Sequence, residues 1–297
     1  MTNLTLKQLT YFDALARLGH FGRAAEACAI SQPALSMQIK DLELGLGASL
    51  FERSGRKIAL TGFGEVFSER VRDILRSVEE LEALARASRN TLAGPLRIGV
   101  IPTVAPYLLP RVVANLTRVH PELDIRLRES ITPTLIRELA EGRLDAAIVA
   151  LPVSEPSFEE IALFTERFVL VRPHAERDEP VPSPERLAQM KLLLLEEGHC
   201  FREQALSLCS LNPARPRELM DASSLSTLVQ MVGAGIGVTL IPEMAVPVET
   251  RSAPVSVAYF DDPQPSRTIG MIWRRSSPIA PQLRSLSEVV DRPSPAG

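Results

Sequence analysis

No uninterrupted apolar run in this chain approaches the ~20 residues of a membrane span. Its N-terminus, MTNLTLKQLTYFDALARLGH, also lacks the apolar block of a signal peptide. Cysteine is scarce: Cys28, Cys200 and Cys209 are too few and too unevenly placed for a secreted disulfide scaffold. There is no GxxxxGK[ST], no HExxH and no paired CxxC, so an enzymatic reading has little to hold. A net charge of -3 argues against a uniformly basic nucleic-acid coat, though not against a local patch. These absences predict a soluble cytoplasmic protein with reduced thiols and no membrane partner. What is present is ordinary globular composition, 45% apolar and 23% charged, over 297 residues. That length suffices for two or three domains with proper cores.

The opening reads as three short helices. Thr5 and Gln8 fit a capping box, and Leu6, Leu9, Phe12, Leu15 and Ala16 mark one buried face before Gly19 closes the helix. FGRAAEACAI predicts a second helix ending near Ile30, with Cys28 in its core. SQPALSMQIKDLELGLG predicts a third, capped by Ser31, with Pro33 tolerated in the first turn. Two helices across a tight turn form a helix-turn-helix whose second member presents its N-terminal side chains to the major groove. Ser31, Gln32, Ser36 and Gln38 are suited to base edges, Ala34 to a thymine methyl, and Lys40 to a phosphate. LFERSGRKIALT then predicts a β wing carrying Arg53, Arg56 and Lys57 over the DNA backbone. The alternative is a structural three-helix domain with a solvated charge cluster.

Over residues 61–90 the pattern changes. Phe67, Val71, Ile74, Val78, Leu81 and Ala85 step by four, three, four, three, four, which is a heptad seam. At ~1.5 Å per residue this predicts a rod roughly 40 Å long. A dimer through it would present two recognition helices to a pseudo-palindromic site.

The remainder alternates strand and helix. LRIGVIP, LDIRLRES, LDAAIVALP, FTERFVLVRP, KLLLLEE, GVTLIP and TIGMIWRR read as strands, with helices over residues 104–119, TLIRELAEG and SSLSTLVQMVGAG. That order predicts an α/β fold with a largely parallel sheet and helices on both faces. GAGIG follows a helix and precedes a strand, the reverse of a dinucleotide loop, so it reads as a helix C-terminus needing positive φ.

GHCFREQALSLC, residues 198–209, holds Cys200 and Cys209 with His199 before the first. On one helix their Cα atoms would lie roughly 13 Å apart, whereas a disulfide tolerates about 7 Å. Three readings stand open: two buried apolar thiols, a metal set of His199, Cys200 and Cys209, or a redox pair. A free thiol of pKa ~8.5 is only a few per cent thiolate at pH 7, so full ionisation gains roughly thirtyfold at best. A fast peroxide sensor therefore also needs groups that steady the departing hydroxide. Thr103 and Thr132, each at a strand-to-helix junction, could supply hydroxyls, and His199 and Arg267 could favour the thiolate. Each also has a plainer role: the threonines as helix caps, His199 as a core histidine, Arg267 as partner to an acid.

Taken together, GHFGRAAEACAISQPALSMQIKDLELGLGASLFERSGRKIALT, the heptad segment and GPLRIGVIPTVAPYLLP resemble the LysR-type transcriptional regulators, essentially end to end. IPTVAPYLLP, LEEGHCFREQA and SRTIGMIWR narrow the resemblance to the family's peroxide sensors. It implies a winged helix-turn-helix over residues 1–60, a linker helix over 61–90, and a two-lobed regulatory domain over 91–297 resembling periplasmic solute-binding proteins. The crossings between lobes would fall near residues 163–168 and near Arg267. It further implies Cys200 as the peroxidatic thiol, Cys209 as the resolving one, and Thr103, Thr132, His199 and Arg267 around the peroxide. DNA, RNA polymerase and further copies of the chain, as dimer or tetramer, are the implied partners. No cofactor, metal or enzymatic turnover is expected. The alternative is a regulator answering to a small carboxylate or aromatic ligand between the lobes.

Overall fold

The computed structural model describes residues 4–54, 57–87, 94–208 and 221–290. It divides into two compact units, residues 1–85 and 86–297.

In the first unit, α1 (Leu6–Leu18) opens on the expected capping box. Thr5 Oγ1 accepts from the Gln8 N–H at 3.3 Å, and Gln8 Oε1 accepts from the Thr5 N–H at 3.1 Å. Gly19 ends it in the left-handed region, at φ 59°. The cap of α2 (Phe21–Ala27) is His20, whose Nδ1 accepts from the Gly22 and Arg23 amides. This helix stops three residues before Ile30, because Ala29 turns to φ 53° and cannot continue it. For α3 (Gln32–Leu46), Ser31 Oγ accepts from the Ala34 N–H at 3.3 Å, with Pro33 in the first turn.

β1 (Phe51–Ser54) and β2 (Lys57–Leu60) pair antiparallel as a wing, Phe51 opposite Leu60. Glu43 ties it to α3, its Oε1 accepting from the Leu50 and Phe51 amides at 2.7 and 3.2 Å. Phe12 centres the core, with ring centroids 5.3 Å from Phe51 and 5.1 Å from Phe67. α4 (Gly62–Ala87) runs 26 residues, about 39 Å at 1.5 Å per residue. Gly64 is required near its start, since a Cβ there would sit 2.1 Å from the Leu50 carbonyl oxygen. Phe67 and Val71 anchor α4 on the core, whereas farther along Ile74 and Leu81 are 46% and 66% exposed. The seam thus changes from packed at Phe67 and Val71 to exposed at Ile74 and Leu81.

The second unit contains β3 (Gly94–Val100), α5 (Ala105–Val119), β4 (Leu123–Glu129), α6 (Thr132–Ala140), β5 (Ala146–Leu151) and the long β6 (Phe158–Pro173). Then come α7 (Pro184–Leu187), β7 (Leu192–Leu195), α8 (Cys200–Leu208), β8 (Asp221–Ala222), α9 (Leu225–Gly233) and β9 (Val238–Pro242). α10 (Val246–Glu249), β10 (Val255–Tyr259), β11 (Ser266–Arg274) and α11 (Ala280–Val289) complete it. Gly235 takes φ 76° just past α9, the role expected for GAGIG.

Strand order is β4-β3-β5-β11-β6-β9-β7-β8, with β10 also on β6. The sheet is mixed rather than largely parallel. β3 pairs parallel with β4 and β5, and β7 with β8 and β9, but every pairing made by β6 and β11 is antiparallel. Strand-helix alternation predicts the parallel pairs; it does not reveal strands that leave one sheet for another. β6 does so: Phe158 to Arg167 pair with β11, and Phe168 to Val171 pair with β9. The crossings fall where expected, and each side has its own core. One holds Leu96, Ile148, Met271 and Trp273, the other Leu170, Leu193, Phe201 and Leu240.

Candidate functional site

Arg267 lies at the crossing, where water is excluded and a charge needs partners. Its Nε donates to Glu166 Oε2 at 2.9 Å, and Nη2 lies 2.8 Å from the same oxygen. Nη1 donates to Thr103 Oγ1 at 2.9 Å and Nη2 to the Thr103 carbonyl at 3.2 Å. Glu166 Oε1 accepts from the Met244 N–H at 3.3 Å. The guanidinium carbon also sits 5.3 Å from the centre of the Phe201 ring, which meets Phe168 edge-on at 5.0 Å. One arginine thereby links the first-lobe turn of Thr103, the crossing strand and the residue after Cys200. Pairing with an acid was the plainer role open to Arg267, and Glu166 is a partner that no motif announced.

Cys200 is a free, half-buried thiol opening α8, where unpaired backbone N–H groups collect. It lines a cavity of 650 Å³ together with Thr132, Gly198, Gln204 and Ser266. Thr132 is the first residue of α6 and caps nothing; its Oγ1 is sequestered and without a hydrogen-bond partner, as is Gln204 Oε1. Thr103 and His199 line a separate interlobe cleft of 190 Å³, with Tyr107, Glu129 and Glu249. There Tyr107, from the first lobe, donates to Glu249 Oε1 at 2.6 Å, and Ser226 donates to Oε2 at 2.5 Å. The two threonines are thus divided: Thr132 shares a cavity with Cys200, and Thr103 is held by Arg267. Cys209 lies outside the described residues. Among the described residues, no three of His, Cys, Asp and Glu converge as a metal requires.

On the first unit, Ser31, Gln32, Pro33 and Lys40 of the α3 segment are exposed, and Ala34, Ser36 and Gln38 are half-buried. Leu35 and Ile39 point into the core, so these side chains occupy the outer face. Met37, 58% exposed on that same face, escaped sequence reasoning because an apolar residue in a helix reads as core. Arg56 and the side chains of Arg53 and Lys57 lie outside what the structure describes.

Residues 6–65 match the family of bacterial regulatory helix-turn-helix proteins, lysR family, and residues 89–292 match the LysR substrate binding domain. The chain belongs to the LysR family. This LysR-family regulator is 41% identical to the DNA-binding transcriptional dual regulator OxyR of Escherichia coli, over 97% of its own length and 95% of that protein's. Among solved structures, full-length OxyR of Pseudomonas aeruginosa, in a cysteine-to-aspartate form, matches with a TM-score of 0.76 and 38% identity. The match covers 97% of this chain and 95% of that one. A hydrogen-peroxide-bound cysteine-to-serine mutant of Corynebacterium glutamicum OxyR matches with a TM-score of 0.66 and 36% identity, covering 97% and 92%. No helix among the regulator's described residues is long and apolar enough to cross a membrane.

Burial lowers the pKa of His199 below the usual imidazole value, against an opposing pull from Glu196. At neutral pH the regulator's His199 is therefore an uncharged hydrogen-bonding group rather than the cation envisaged for the thiolate. The unfolded chain takes up this proton near pH 6.5, the folded chain only below that. The stability contributed is complete above 6.5 and is lost as pH falls through the folded value. Melting temperature should fall more steeply on acidification in the wild type than in His199→Asn. Superimposable profiles would show that another group titrates.

Proposed function

We propose that this LysR-family regulator is a cytoplasmic, peroxide-responsive transcription factor that binds DNA as a dimer or tetramer. The observation that carries the reading is the free Cys200 thiol sharing a cavity with Thr132, whose buried hydroxyl has no hydrogen-bond partner. Relatives named as hydrogen peroxide-inducible genes activators support it. In the first step the Cys200 sulfur attacks one peroxide oxygen, the O–O bond breaks, and water leaves with the thiol proton. The product is a sulfenic acid. The Cys209 thiol then attacks that sulfur, a second water departs, and a disulfide remains. Each chain reacts once until reduced, which makes it a switch rather than an enzyme.

The described helix sets the structural consequence. From Cys200 to Leu208 it rises about 12 Å, and one further Cα step of 3.8 Å cannot bring the next residue within the ~7 Å a disulfide allows. Closing the bond therefore unwinds α8 and withdraws buried Phe201, Ala205 and Leu206 from the second-lobe core. Carboxylates Glu129 and Glu249 in the interlobe cleft count against an anionic metabolite as the signal. Mass spectrometry after brief, low peroxide tests the reading: the intact chain should become lighter by two hydrogens. An unchanged mass sinks it.

The division of labour follows the sequence: a DNA reader over residues 1–60, a pairing helix over 61–90, and the sensor over 91–297. The exposed seam residues Ile74 and Leu81, with exposed Leu84 beside them, support pairing through α4, and RNA polymerase is the partner that a DNA-bound activator addresses. On DNA, Ser31, Gln32, Pro33, Ala34, Ser36, Met37 and Gln38 face the groove, and Lys40, Arg53, Arg56 and Lys57 the phosphates. Arg53→Ala or Lys57→Ala should weaken binding to all sequences and reduce the salt slope by about one per site contacted. Gln32→Ala should instead relax base preference by about 1–3 kcal/mol at one position. Equal behaviour of both classes in a salt-titrated binding assay would overturn the assignment.

A further inference from the structure

The cavity beside Cys200 is far larger than the oxidant just described. A water takes about 30 Å³ of liquid and hydrogen peroxide, one oxygen larger, roughly twice that. The cavity measures 650 Å³, within the range of about 300–1,000 Å³ that holds organic ligands of many atoms. Its wall mixes polar Thr132, Gln204, Ser207 and Ser266 with an apolar set: Ile136 of α6, Leu151 at the end of β5, Val153 just past it, and Phe168 of β6. Among the described lining residues, the one ionisable group besides Cys200 is Glu203, an exposed acid. The Cys200 thiol therefore stands at one side of an organic-sized, partly open cavity where, among the described residues, the one charged side chain is an acid that disfavours anions.

We propose that this chamber admits neutral alkyl and aryl hydroperoxides, so that Cys200 is oxidised by organic hydroperoxides as well as by hydrogen peroxide. The inference rests on the peroxide reading above and extends its substrate class. The Cys200 sulfur attacks the terminal oxygen of R–O–O–H and the S–O bond forms as the O–O bond breaks. The thiol proton passes to the departing RO oxygen, so Cys–SH and ROOH become Cys–SOH and ROH. Sulfur gives up two electrons and the peroxide takes them. Thr132 lines the same cavity, and a small turn of its buried, unpartnered hydroxyl would let it steady the RO oxygen, while the R group lies against Ile136, Leu151, Val153 and Phe168.

The test uses the full-length reduced protein, following Cys200 oxidation by quenched mass spectrometry. The reagents are hydrogen peroxide, cumene hydroperoxide and the anionic hydroperoxide of linoleic acid. Cumene hydroperoxide should oxidise the wild type within about tenfold of the hydrogen peroxide rate, the fatty-acid anion more slowly. Ile136→Trp, which adds bulk to the apolar part of the lining, should slow cumene hydroperoxide at least tenfold and leave hydrogen peroxide within twofold. Val153→Phe provides the same test if the tryptophan variant does not fold. Oxidation by hydrogen peroxide but not by cumene hydroperoxide overturns the inference and leaves the peroxide reading standing, as does equal slowing of both by the filled cavity. Failure of every reagent to oxidise Cys200 overturns the peroxide reading itself.

Discussion

Replacing Glu166 with alanine should cost about 3–5 kcal/mol of stability, the usual consequence of stranding one member of a buried ion pair. The side chains of Glu166 and Arg267 are only 3% and 1% exposed, so neither charge has water to fall back on. Without the carboxylate, Arg267 keeps Thr103 and the Phe201 ring, neither of which carries a compensating negative charge. Glu166→Gln, which preserves shape and an acceptor, should lose less. The double change Glu166→Leu with Arg267→Met should recover most of the loss, because apolar pairs of similar volume often replace buried salt bridges without penalty. Urea unfolding followed through Trp273, the chain's single tryptophan, reads all three. A loss below about 1 kcal/mol for Glu166→Ala would mean that the pair does not hold the crossing.

Cys200→Ser should abolish the response altogether. Serine keeps the size but not the nucleophile, so peroxide should leave both the mass of the chain and its DNA footprint unchanged. Cys209→Ser separates the two chemical steps. The first thiol still reacts, and the chain should gain one oxygen, trapped by a sulfenic-acid reagent, without losing two hydrogens. Because the proposed structural signal comes from the second step, the Cys209→Ser footprint should stay that of the reduced protein. A full footprint shift in Cys209→Ser would show that the sulfenic acid alone suffices and that α8 need not unwind.

Local chemistry was readable in the sequence wherever neighbours along the chain decide it. The Thr5–Gln8 box, the Ser31 cap and the Gly19 and Gly235 turns were all expected from short-range rules, and each is present. The heptad seam was legible too, although the sequence did not show that its first turns are consumed by the first unit's own core through Phe67 and Val71. Long-range pairings were not legible. Glu166 and Arg267 are 101 residues apart and become partners only because β6 and β11 lie side by side. The same antiparallel strands made the sheet mixed. His20 as the α2 cap was missed because histidine is an uncommon N-cap, so its position carried no signal. Among the residues placed around the peroxide, Thr132 and Cys200 share one cavity, and Thr103 and His199 share another. A list of residue types carries no information on which wall each belongs to.

The crossing strands also say how the sensor half is nested. Arg167 is paired with Ser266, and the Phe168 amide donates to the Pro265 carbonyl at 2.8 Å. The chain leaves the first lobe and re-enters it at two adjacent points. Residues 168–265 are therefore an insertion, one compact body spliced into another at a site where the ends already touch. Joining 167 to 266 by a short turn would leave the first lobe with β3, β4, β5, both crossing-strand segments and its three helices intact. The cysteine helix, by contrast, lies wholly inside the inserted body. In architectural terms the helix that opens on Cys200 is a guest, and Thr132, which lines the same cavity, belongs to the host lobe.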